Sequence, residues 1–92
     1  MKHIENLYVV SFKDCDKDWE YLAILIHLYE DNLKEIITNQ FEDLGYNIFD
    51  KDVIADINKI VSELRLNDYF EDNDTINSYG ISYKIECVPY FD

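Results

Sequence analysis

The sequence predicts an α+β domain: a small antiparallel sheet, element order β-β-α-α-β-β, with two antiparallel helices packed on one face. Three observations predict it. Apolar side chains alternate with period two at both ends of the chain, they recur at helical spacing in the middle, and turn-forming residues fall between these blocks.

Residues 6–13, NLYVVSFK, are β-branched and aromatic. They place Tyr8, Val10 and Phe12 on one face and Leu7, Val9 and Ser11 on the other, as a strand requires. DCDK then supplies a hairpin turn. Residues 19–29, WEYLAILIHLY, are ambiguous, because Trp19, Leu22, Ala23, Ile26 and Tyr29 share the phase of the helix that follows. A strand is preferred, since Asn32 marks a fresh helix start. It would turn Leu22, Ile24, Ile26 and Leu28 inward and Tyr21, Ala23, Leu25, His27 and Tyr29 outward.

Leu33, Ile36, Ile37, Phe41 and Leu44 recur at helical spacing, with Asn32 and Glu35 as the expected N-cap and N3 pair and Gly45 as terminator. Asp50 is placed to cap a second helix, along which Val53, Ile54, Ile57, Ile60, Val61 and Leu64 form a stripe. On that helix Asp52, Asp56 and Glu63 are expected to flank Lys59 on a common face. The short connection makes the two helices antiparallel neighbours. DYFED reads as a short strand and residues 72–78 as an unconstrained loop. In the final strand Tyr79, Ile81, Tyr83, Ile85 and Cys87 share one face, opposite Ser82, Lys84 and Glu86. Pro89 is expected to end its pairing, having no N–H to give.

The 92 residues fit one acidic globular domain, residues 1–92. Leu, Ile, Val and Phe make up 30 of them, enough for a core to offset chain ordering despite the charge. Twenty acids face eight bases, of which Arg65 is the one arginine, for a net charge of −12. Such a surface repels nucleic acid and anionic lipid, and it is drawn to basic proteins. No apolar run approaches the roughly 20 residues that span a bilayer, and Glu5 interrupts what would be the core of a secretory signal, so a cytoplasmic location is expected.

The chemistry-bearing residues do not assemble a known motif. Asp14, Asp16 and Asp18 match the first ligands of an EF-hand loop, but Trp19 stands where the turn needs glycine and Leu25 where a bidentate glutamate is needed. His3, Cys15, His27 and Cys87 lack the close spacing of a zinc site. Cys87 reads as a core residue, and Cys15 as a thiol made less reactive by its aspartate neighbours. Gly45 and Gly80, the only glycines, belong to no phosphate cradle or nucleophile elbow. No metal, no cofactor and no catalysis are therefore expected.

Surface recognition remains. NDYFEDND joins Asp68, Glu71, Asp72 and Asp74 to Tyr69 and Phe70, with Tyr79 shortly after, and offers carboxylates to Arg or Lys together with aromatic area. In size and charge alone the chain is similar to small acidic inhibitors: immunity proteins that neutralise nuclease toxins, and phage anti-restriction or anti-CRISPR proteins. That resemblance implies a non-catalytic inhibitor of a basic partner, a nuclease or other nucleic-acid-binding effector, blocked by charge mimicry or steric cover. The alternative is a small cytoplasmic adaptor or assembly subunit whose acidity serves solubility. In that reading Tyr21, Leu25 and Tyr29 on the outer sheet face join two copies into a homodimer.

Overall fold

The computed structural model describes residues 4–14, 17–71, 76–77 and 79–91. The chain runs β1 (Ile4–Asp14), β2 (Glu20–Leu25), α1 (Glu30–Asp43), α2 (Lys51–Asn67), β3 (Tyr69–Glu71) and β4 (Ile81–Phe91). The strands form one antiparallel sheet in the order β2-β1-β4-β3. The expected α+β class and element order are found, and residues 20–25 are a strand.

β1 and β4 are the spine of the sheet, paired without a break from Ile4↔Phe91 to Asp14↔Ile81. Their inward faces supply Val10, Phe12, Ile81, Tyr83 and Ile85 to the core, where they meet Leu33, Ile37 and Phe41 of α1 and Val53, Ile57, Ile60, Val61 and Leu64 of α2. Both helices thus cover one face and leave the other without a helical layer. The exposed Arg65–Glu30 pair, 3.1 Å, joins the last turn of α2 to the first of α1, so the helices are antiparallel.

The helix ends follow local chemistry. Asp50 caps α2, accepting from the N–H groups of Asp52 at 2.8 Å and Val53 at 3.4 Å. α1 ends in a Schellman motif: Tyr46 N–H donates to Phe41 O and Gly45 N–H to Glu42 O, with Gly45 at φ +91° and the rings of Tyr46 and Phe41 in contact at 5.5 Å. The start of α1 differs from expectation. The N-cap is Tyr29, with no side-chain cap, because Glu30 and Asp31 already place carboxylates beside the free N–H groups of the first turn. Asn32 and Glu35 lie inside the helix.

Three further expectations change for identifiable reasons. A β-bulge in the β1–β2 ladder, between Val10/Ser11 and Ala23/Tyr21, shifts the alternation by one residue. Leu22 and Leu25 therefore both pack against the core, whereas Ile24, expected inward, is 64% exposed. Ile26 and His27 lie beyond the end of β2 and are exposed. Cys87 is exposed rather than buried, since it lies on the stretch of β4 that extends past the core-forming residues. Nor does Pro89 end the ladder. Ile85 donates its N–H to Asp68 O on the β3 side, so by alternation residue 89 points its backbone nitrogen to that same side, where β3 has already stopped. The missing N–H costs no bond to β1.

Two buried hydroxyls, Ser11 Oγ and Tyr83 Oη, have no hydrogen-bond partner among the described residues. Burial pushes the Tyr83 phenol up, so it stays neutral and simply lacks solvation. Tyr83→Phe should therefore raise stability by about 1 kcal/mol, or about 4–8 °C in a domain of this size. A calorimetric melt that fell instead would show that the hydroxyl has a partner.

Candidate partner-binding site

Antiparallel packing brings four turns to one end of the molecule. The C-terminus of α1, the α1–α2 connection, the end of the β1–β2 hairpin and the segment entering β4 all meet there. At their junction Phe41, Tyr46 and Tyr79 pack edge to face or tilted, with centroids 4.9–5.5 Å apart.

Beneath these rings lies Asp56 of α2, 1% exposed. Its carboxylate accepts from the Tyr79 hydroxyl at 2.6 Å, the Ile76 N–H at 2.7 Å, the Asn77 N–H at 3.1 Å and the Asn77 side-chain amide at 3.3 Å. Burial alone would push this carboxyl up, but the donated hydrogen bonds outweigh it and hold it below the ordinary carboxylate range. The same contact, added to burial, pushes the Tyr79 phenol up. Asp56 is thus not one of the solvated acids flanking Lys59. It clamps helix α2 to the chain entering β4, and residues 76 and 77 of the expected free loop are held. The apolar stripe carried the clue: Asp56 lies three residues after Val53 and four before Ile60, on the core face.

Carboxylates crowd the rim of this end. Glu42 and Asp43 occupy the last turn of α1, where no basic residue accompanies them. Asp50 and Asp52 border an open cleft of about 400 Å³ shared with Tyr46 and Asn77. Asp14, Asp18 and Glu20 surround a smaller hollow against Gln40 and Leu44, with Lys17 3.9 Å from the Asp14 carboxylate. The acids in the last turn of α1 meet the negative end of the helix dipole, which disfavours them. Phe49, 85% exposed, precedes Asp50 and lines a neighbouring hollow with Lys34, Thr38 and Ile54.

The residues singled out from the sequence divide. Asp68 is exposed at the C-cap of α2 in a left-handed conformation, φ 60°. Tyr69 and Glu71 are exposed on β3, pointing away from the helices, while Phe70 between them is core. Tyr79 is 7% exposed and its hydroxyl is committed to Asp56, so it supports the site from below rather than facing a partner. Asp72, Asp74, Cys15 and Asp16 lie outside the described residues. Among the described residues no group of three or more His, Cys, Asp or Glu is placed to hold a metal ion, and no helix is long and apolar enough to cross a membrane. No protein-family model, curated protein or solved structure matches the chain.

Because its folded-state pKa is depressed, Asp56 contributes stability that is fully present above the unfolded value, 3.8, and is lost as pH falls through the lower folded value. Asp56→Asn should cost about 2–4 kcal/mol at pH 7, since an amide nitrogen then faces donors, and it should flatten the acid limb of the stability curve. Denaturant unfolding at pH 7 and below pH 4 checks both; an unchanged acid limb would show that other carboxylates carry it.

Proposed function

We propose that this chain is a non-catalytic inhibitor that occupies the basic groove of a nucleic-acid-processing protein, presenting carboxylates where the partner expects phosphates. The observation that carries the reading is the charge at one end of the fold. Glu42 and Asp43 oppose their own helix dipole there, in company with Asp50, Asp52, Asp14 and Asp18, and solubility alone would be served equally by acids at unopposed positions. Glu71 fixes one side of the acidic 71–74 segment in β3, and the Asp56 clamp fixes residues 76 and 77 on the other. Phe49 supplies the aromatic area that a protein partner buries and a free cation does not.

Two sets of substitutions test this. Glu42→Gln with Asp43→Asn should raise the melting temperature by about 2–5 °C, because the helix end is relieved. Glu71→Gln with Asp72→Asn and Asp74→Asn should leave it unchanged or slightly higher. Immobilised wild-type protein should retain from the native host a basic, nucleic-acid-binding protein that duplex DNA or about 0.5 M salt releases. Both variant sets should lose that protein by an order of magnitude or more. Retention that survives the substitutions and the salt would overturn charge mimicry.

A further inference from the structure

The geometry points to the outer face of the sheet as a self-association surface, on which a second copy of this chain packs face to face. Both helices cover the opposite face, and the bulge that turns Leu25 inward leaves Ile24 outward. Along the outer face Leu7, Val9, Tyr21, Ile24, Tyr69 and Val88 form an apolar field, in which Tyr21 is 80% and Ile24 64% exposed.

Charge identifies the occupant. The chain carries −12, yet among the residues of this face whose side chains are described the charged ones are Lys13, Lys84, Glu71 and Glu86, two of each sign, with Glu5 at the same register toward the far end of β1. Lys84 lies 4.5 Å and Lys13 5.9 Å from the centre of the Trp19 ring, and Lys84 lies 3.4 Å from Glu86. A basic protein would gain nothing here and would meet two lysines. For a second copy of a strongly acidic chain this is the surface where self-repulsion is least, and a two-fold axis can exchange Lys84 and Glu86 between copies. The area is sufficient. With 11-residue β1 and β4, strands about 4.8 Å apart and about 3.4 Å per residue, the four strands present roughly 500 Å² of flat sheet. Two copies cover about 1,000 Å², the lower bound for specific association. A concentration-dependent dimer follows, with the acidic ends left open.

Sedimentation velocity from about 5 to about 300 µM, at about 0.05 and 0.5 M salt, tests this directly. The expected result is a monomer–dimer equilibrium that salt strengthens several-fold, the opposite sign to the salt dependence of the acidic end. Tyr21→Lys and Ile24→Glu, each at an exposed position, should both abolish the dimer with melting temperatures within a few degrees of wild type, and Glu35→Gln on α1 should leave it intact. A monomer throughout the range at high salt, or a dimer indifferent to both substitutions, would overturn the proposal. So would a different protein found seated on this face in place of the second copy.

Discussion

One buried carboxylate ties helix α2 to the chain entering β4 at the acidic end of this fold. Asp56 accepts four hydrogen bonds from the chain entering β4, and without it the Ile76 and Asn77 N–H groups would lose an ionised acceptor and the buried Tyr79 hydroxyl would lose one away from water. The Tyr79 ring, set by that bond, closes the cluster with Phe41 and Tyr46, and Tyr46 in turn completes the turn that ends α1. Helix end, connection and loop therefore meet above a single side chain. Its negative charge also adds to the field of the surrounding acids, which is tolerable because its own donors compensate it locally.

The remaining charge is distributed unevenly, and that unevenness separates two surfaces. Antiparallel topology carries the turns between β1 and β2, α1 and α2, and β3 and β4 to one end, where carboxylates gather and where Glu42 and Asp43 stand against the dipole of their own helix. The outer sheet face carries Leu7, Val9, Tyr21 and Ile24 beside lysines that are held against Trp19 and Glu86. The two proposals therefore predict opposite responses to salt, weaker association at the acidic end and stronger self-association on the sheet face, and Glu71 stands where the two surfaces meet.

What the sequence revealed follows the range of each signal. Alternation from Tyr79 to Ile85, the stripe from Val53 to Leu64, the Asp50 cap and the Gly45 terminator are local, and each appears where the residues indicate, except that Ile54 at the edge of the stripe is exposed. The bulge opposite Val10 and Ser11 is a pairing irregularity with no mark in β2 itself, and it alone exchanges the faces of Ile24 and Leu25. Cys87 and Pro89 depend on where neighbouring elements stop, which strand periodicity does not contain. Asp56 was legible in part, as an acid on an apolar face, but its donors lie about twenty residues on. The gathering of Glu42, Asp50 and Asp14 at one end needs the topology itself.

Amide hydrogen exchange at Ile76 and Asn77, read by NMR near neutral pH, tests the clamp most directly. If Asp56 holds the end of the acidic segment as described, both N–H groups exchange orders of magnitude more slowly than an unstructured chain, and Asp56→Asn removes that protection while the amides of α2 keep most of theirs. Exchange of both groups at the unstructured rate in the wild-type protein, beside a protected α2, would contradict the account.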